Sequence, residues 1–317
     1  MAGVVNFVKR EAILNVVETL SGQYLKGKVR AVRLAMISLL TGGHILLEDI
    51  PGVGKTTLAL AFSSALGLSF GRIQCTSDLL PSDVTGLSIF HREESQFKFI
   101  PGPIFNNIVL VDEINRAMPK TQSALLEAME ERRVTVEGVT YLLPEPFMVI
   151  ATQNPFEQVG TYPLPESQLD RFILRTGIGY PSEETEKSII MYGSIRDDIK
   201  RIASLLSGKE ILDARQEAKE GVYLSEKITG YIFSIVAATR NHPLILTGIS
   251  TRGAINLADA ARINAYLEGR DYVMPDDVKR VALPVGAHRL ICRAENENLD
   301  KEEILGAILK NIPVPLA

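Results

Sequence analysis

The chain has 317 residues, 46% hydrophobic and 23% charged, which is enough for two packed domains and excludes a largely disordered chain. A net charge of −4 and a pI near 5.7 argue against a long, non-specific grip on nucleic acid, leaving at most a local basic stripe. Cys75 and Cys292 are the only cysteines, without C-x-x-C spacing, and His44, His91, His242 and His288 are scattered, so a reduced compartment and packing or surface roles are expected for all six.

At the N-terminus, Met1-Ala2-Gly3-Val4-Val5-Asn6-Phe7-Val8 runs at once into Lys9-Arg10-Glu11, which is not a signal-peptide pattern. No stretch of the chain reaches the roughly 18 apolar residues that a membrane span needs. A cytoplasmic location is the expectation. Residues 6–40 read as helices: Val4, Phe7, Val8, Ile13, Leu14, Val17 and Leu20 fall near a 3.6-residue period, as do Val29, Val32, Leu34, Met36, Ile37, Leu39 and Leu40. Gly42-Gly43 ends the second helix, His44–Glu48 is a short apolar strand, and a helix is predicted from Lys55 to Leu66.

Gly71–Thr76 reads as a strand, with Thr76-Ser77-Asp78 supplying cap chemistry for a helix over 79–84. Residues 85–105 form an inserted hairpin: β-like runs at 88–91 and 97–100 flank the polar tip Arg92-Glu93-Glu94-Ser95, and Pro101-Gly102-Pro103 closes it. Strand 108–113, helix 120–131 and a second hairpin over 133–142 about Glu137-Gly138 follow. Then come strand 147–152, a loop and cap over 156–168, and a strand beginning at 172–174. Alternating strands and helices predict a mostly parallel, three-layer α/β domain. Beyond Tyr180-Pro181-Ser182 the strands fade, and helices are expected at 183–206, 225–241, 252–268, 275–283 and 301–310. Ser225, Thr251 and Asp300 are candidate caps, with Pro275 in a first turn. The expected boundary lies near Pro181, dividing 1–181 from 182–317.

Two segments carry chemistry. Leu46-Leu47-Glu48-Asp49-Ile50-Pro51-Gly52-Val53-Gly54-Lys55-Thr56-Thr57 is a strand that breaks into a Gly-rich turn at a helix start. In such a loop Pro51 would shape the turn and the backbone N–H groups of Gly52-Val53-Gly54-Lys55-Thr56-Thr57 would wrap a phosphate, with Lys55 on the terminal phosphates and the Thr56 hydroxyl on Mg²⁺. Ile108-Val109-Leu110-Val111-Asp112-Glu113 ends a buried strand in two carboxylates. One can hold the magnesium shell and its neighbour can orient or deprotonate a water. Together they imply binding and hydrolysis of a nucleoside triphosphate. Asn154 follows a buried strand, where an Asn-Pro turn is ordinary by itself.

Over nearly its full length the chain resembles the MoxR-type AAA+ ATPases. The resemblance rests on Gly42–Glu48, Pro51–Thr56, Asp112-Glu113-Ile114-Asn115-Arg116-Ala117, Ala151-Thr152-Gln153-Asn154-Pro155, Leu164–Phe172 and Gly269–Pro275, with both hairpins resembling insertions of that branch. It implies a P-loop core carrying Walker A and Walker B elements, followed by a small α-helical lid, and it implies ATP and Mg²⁺. Asp112 would hold Mg²⁺ with Thr56, Glu113 would polarise the attacking water, and Asn154 would be the polar sensor near the γ-phosphate. Arg171 resembles an arginine finger given to the next subunit, and Arg252 a second sensor at the start of a lid helix. Arg116 is either an interface residue or a solvated one.

The resemblance further implies a homo-oligomeric ring, expected to be a hexamer, that remodels or matures a protein client, often with a von Willebrand factor A-domain partner. Two positions depart from the pattern: Asp49 stands where the general phosphate loop has its first glycine, and Gly27-Lys28 replaces the family's common Gly-Gln near the adenine pocket. A nucleic-acid-stimulated motor and a nucleotide-gated binding module with little turnover are the alternatives. The acidic charge balance disfavours the first and the intact Asp112-Glu113 pair the second.

Overall fold

The computed structural model describes residues 7–92, 95–155, 159–193, 199, 201–296 and 298–315. Val4, the hairpin-tip residues 93–94, the loop residues 156–158 and, from the expected 183–206 helix, residues 194–198 and 200 lie outside the described residues. The chain packs as two units, one of 15–164 with 176–208 and one built from 1–14, 165–175 and 209–317. This division differs from a single cut near Pro181, because 165–175 packs with the helices that follow and 176–208 with the sheet unit.

α1 (Arg10–Thr19) crosses the division after Leu14 and, in the sheet unit, runs into a π-helical turn at Leu20–Tyr24 and then α2 (Val29–Thr41). Gly42, at φ 77°, ends α2 in the left-handed region that glycine enters without strain. Next come β1 (Ile45–Glu48), α3 (Lys55–Ala65), β2 (Phe70–Gln74) and a short α4 (Pro81–Thr85). The expected cap at 76–78 is not used; instead the Asp83 carboxylate accepts the Leu80 N–H at 2.9 Å, one turn later. β3 (Gly86–His91) and β4 (Gln96–Pro101) pair antiparallel as the first hairpin.

β5 (Ile108–Asp112), α5 (Pro119–Glu131), the second hairpin of β6 (Arg133–Val136) and β7 (Val139–Leu142), and β8 (Met148–Gln153) follow. After the single turn α6 (Glu166–Leu169) comes β9 (Leu174–Thr176). The five-stranded sheet has the order β2-β5-β8-β1-β9, with β2–β5, β5–β8 and β1–β8 parallel. β5 is buried at every residue, as a strand covered on both faces must be. Leu58, Ala59, Phe62 and Ala65 of α3 are buried with it.

α7 (Glu183–Tyr192) ends at its cap Gly193, short of the expected residue 206. The helical unit contains α8 (Gly208–Gly221), α9 (Glu226–Arg240), α10 (Thr251–Leu267), α11 (Pro275–Gly286) and α12 (Lys301–Asn311), with a small antiparallel pair, β10 (Ile245–Thr247) and β11 (Ile291–Cys292). Ser225 and Asp300 cap α9 and α12, whereas α10 is capped by Ser250, whose hydroxyl accepts the Gly253 N–H at 3.0 Å, rather than by Thr251. The Gly269–Pro275 motif is structural. Buried Asp277 receives both arms of Arg270 at 2.6 and 2.5 Å, Asn264 Nδ2 at 2.7 Å and the Met274 N–H at 2.7 Å, which locks the start of α11 to the end of α10. Such bidentate pairing is what lets a carboxylate be buried.

Candidate functional site

β1 ends in the sheet at Glu48, and the chain turns through Asp49–Gly54 before α3 begins at Lys55. Gly52 and Gly54 sit at φ 86° and 100°. A Cβ at Gly54 would meet nothing nearer than Thr57 at 3.9 Å, so the turn demands glycine for its dihedrals rather than for space. The orphan N–H groups and positive dipole end of an eleven-residue helix therefore open directly after a glycine turn, the arrangement that holds a phosphate. Lys55 Nζ donates to the Asp49 carbonyl and, at 3.4 Å, to that of Gln153. Burial lowers its pKa, opposed by the charges of Asp49, Asp112, Glu113 and Glu48.

Asp112 closes β5 and is buried. Its Oδ2 accepts from Arg72 Nε at 2.9 Å and lies 2.8 Å from Arg72 Nη2, while Thr152 Oγ1 donates to Oδ1 at 3.4 Å. The same Thr152 oxygen accepts the Glu113 N–H at 2.9 Å, so one hydroxyl on β8 ties both carboxylate residues together. Glu113 has φ 56° and ψ 54°, a left-handed conformation that a non-glycine residue holds only when its surroundings impose it. Its side chain meets Arg116 at 3.2 Å. Arg116 is thus a partner of Glu113 within this unit.

These groups share one cleft of about 520 Å³, within the usual range of ligand pockets. Pro51, Gly52, Val53, Gly54, Lys55, Thr56, Thr57, Asp112, Glu113 and Asn154 all line it, and so do Lys28, Arg72 and Thr152. Sequence reasoning gave neither Arg72 nor Thr152 a role at the site. Their signal is register: Arg72 pairs with Leu110 on β5, two residues before Asp112, and Thr152 lies one residue past the β8 partner of Val111. Cys75 is buried, and burial and then the charges of Asp112 and Glu113 push its thiol up to about 12, which keeps it protonated at neutral pH. Arg171 and Arg252 belong to the helical unit, Arg171 half-buried before β9 and Arg252 exposed in the first turn of α10.

The donor set fits a hard divalent cation. One carboxylate (Asp112) and one hydroxyl (Thr56) line the cleft, and among the described residues there is no cluster of three or more His, Cys, Asp or Glu able to cage a metal. Mg²⁺ is commonly held in this way, by one or two protein oxygens with phosphates and waters completing the shell.

A parallel sheet, a phosphate loop between β1 and α3, and paired carboxylates at the end of β5 define a P-loop nucleotide-binding protein. Residues 44–174 match the ATPase family associated with various cellular activities (AAA), and residues 237–308 match the AAA lid domain. The chain belongs to the MoxR-type AAA+ ATPases. It is 46% identical to uncharacterized protein YeaC of Bacillus subtilis over 92% of this chain and 91% of that one, and 38% identical to chaperone MoxR1 of Mycobacterium tuberculosis over 91% and 79%. A crystal structure from Cytophaga hutchinsonii, provisionally described as an ATPase, superposes with a TM-score of 0.89 at 38% identity, covering 97% of this chain and 96% of that one.

Proposed function

We propose that this protein hydrolyses ATP with Mg²⁺ and couples the cycle, in a homo-oligomeric ring, to chaperone-like remodelling of a protein client. The observation that carries the reading is the cleft in which Lys55, Thr56, Asp112, Glu113 and Asn154 meet at the ends of β1, β5 and β8. The loop amides and Lys55 would bind the phosphates, and Thr56 with Asp112 would hold Mg²⁺, which neutralises developing charge when bound. Glu113 would accept the proton of the attacking water, and Asn154 would orient that water.

Arg171 would act on the nucleotide of a neighbouring subunit, and Arg252 would sense the chain's own. A hexamer, a von Willebrand factor A-domain partner and a cytoplasmic setting complete the proposal. Two free, buried cysteines agree with a reduced compartment, and among the described residues no helix is long and apolar enough to cross a membrane. Client contact is proposed at the hairpins, where Leu87, Ile89, Phe90, Phe97, Ile100, Val139 and Leu142 are exposed. Phe99 of the first hairpin stacks on Tyr141 of the second at 4.0 Å, so the two hairpins form one surface.

The test is ATPase activity per chain against protein concentration, together with complementation. Activity should rise with concentration, and Arg171→Ala chains mixed with Lys55→Ala chains should regain turnover, because mixed seams join an intact pocket to an intact finger. Such fingers are worth about 10³–10⁵ in rate. Flat specific activity and a dead mixture would reject the shared site.

A further inference from the structure

Arg289 is a cation at the heart of the helical unit, with a side chain only 2% exposed. All five of its guanidinium N–H donors find acceptors. Nε donates to Asp170 Oδ1 at 2.7 Å; Nη1 donates to the carbonyls of Ile173 (3.3 Å) and Val285; Nη2 donates to those of Asp170 (3.3 Å) and Phe172 (2.8 Å). Three of the four backbone carbonyls, and the one carboxylate, belong to residues 170, 172 and 173. The guanidinium therefore grips the chain on both sides of Arg171. His288 strengthens the grip: its Nε2 lies 3.0 Å from the Phe172 carbonyl oxygen and 2.9 Å from Arg289 Nη1, and a neutral ring satisfies one of these at a time. Burial, and then the charge of Arg289, keeps that ring neutral.

The other side of Arg289 meets the start of α10. A Cβ at Gly253 would lie 2.8 Å from Arg289 Cδ and 3.2 Å from its Nε, so this turn is packed directly on the guanidinium stem. Gly253 follows Arg252 immediately. Burial depresses the basicity of Arg289, Asp170 opposes that effect, and the like charge of Arg252 adds to it. An anion paired with Arg252 would relieve the repulsion.

We propose that Arg289 is the positioning residue that joins the two nucleotide-reading arginines, holding Arg171 in place for a neighbouring subunit while resting on the helix turn that carries Arg252. This rests on the reading of Arg171 as a finger acting in trans. It makes the finger part of the lid, so that the chain's own nucleotide sets the finger it offers to the next site.

Complementation separates the possibilities. Arg289→Lys keeps the charge but loses the planar fork; Asp170→Asn, which leaves Arg289 in place, is the second variant should Arg289→Lys fail to fold. Each should bind a fluorescent ATP analogue as the parent does while its kcat falls at least tenfold. Mixed with Lys55→Ala chains, each should regain activity, because the partner supplies a finger. Mixed with Arg171→Ala chains, each should stay inactive, because no chain then holds a competent finger. The reverse pattern, recovery in both mixtures or recovery in neither would overturn the assignment. A dead control mixture of Arg171→Ala with Lys55→Ala would instead reject the trans reading of Arg171 itself.

Discussion

Lys28 and Asp49 hold the opposite backbone groups of the same two residues, Ile178 and Gly179. Asp49 Oδ2 accepts the N–H groups of Ile178 and Gly179 at 2.9 and 2.6 Å, while Lys28 Nζ donates to the carbonyls of Ile178 (3.4 Å) and Gly179. These are the two positions at which the chain departs from the family pattern, and the departures are coupled. Asp49, standing at the first-glycine position of the loop, anchors the segment that follows β9. Lys28 is buried, which lowers its pKa, and the charge of Asp49 opposes that effect.

Asp49→Ala and Lys28→Ala should therefore be non-additive. Each removes charge-assisted hydrogen bonds worth about 1.5–3 kcal/mol. The double variant should fall short of the sum by about 0.5–3 kcal/mol, as contacting residues do. Chemical denaturation of the four proteins measures the cycle. Strict additivity would mean that the two side chains hold the segment independently.

Most of the nucleotide unit was legible because its strands are apolar runs broken by turn residues and its chemistry is local in sequence. Leu46–Thr57 announces strand, loop and helix together, and Ile108–Glu113 announces a buried strand with carboxylates at its end. What escaped depends on register or on small side chains. Arg72 looks like a solvated strand residue until β2 pairs with β5 and brings it to Asp112. Helix α8 was missed because its buried stripe is Ile211, Ala214 and Ala218, too small to mark an amphipathic period. Helix α11 continues through Pro284 to Gly286, where a stop before the proline was expected. Arg289, among the most connected side chains of the helical unit, carries no local signal, since most of its acceptors, on residues 170, 172 and 173, lie more than a hundred residues upstream.

Stability should fall with acid through His44. The ring is wholly buried, accepting the Val149 N–H at Nδ1 (2.9 Å) and lying 3.1 Å from the Met129 carbonyl at Nε2, which fixes the proton on Nε2. Burial lowers its pKa to about 4, against the Met129 bond and with the help of Arg132. The folded state thus binds this proton less readily than the unfolded chain. The contribution is intact above about pH 6.5 and is lost as pH falls from there to about 4, amounting to about 3 kcal/mol. His44→Asn should be less stable at pH 7 and should show a shallower decline between pH 6.5 and 4. Parallel curves for the two proteins would remove His44 from the pH dependence.

Arg72 would compete with the proposed Mg²⁺ for the carboxylate of Asp112. Arg72 is 51% exposed, so its pair with Asp112 is screened, on the scale of about 0.5–1 kcal/mol. Arg72→Gln should lower the Mg²⁺ concentration needed for half-maximal turnover by about two- to fivefold. If Arg72 serves the phosphates instead, ATP affinity will fall and the Mg²⁺ requirement will stay where it is.

Glu113 and Arg116 supply the last prediction. The Glu113 carboxylate is where a water's proton would go, yet it meets the Arg116 guanidinium at 3.2 Å, and its backbone is held in the left-handed region by the bond to Thr152. The ion pair fixes where the carboxylate points, so Arg116 orients Glu113. Glu113→Gln keeps the shape and removes the proton acceptor, and it should bind ATP while losing about 10²–10⁴ in kcat. Arg116→Ala should act on the same step in a different way. It leaves the base in place but loosens it, so turnover should change while nucleotide affinity does not, and in the Glu113→Gln background the substitution should have no further effect. Single-turnover hydrolysis with the four combinations reads this directly. An Arg116→Ala effect that persists undiminished without the carboxylate would place Arg116 outside the chemistry of Glu113.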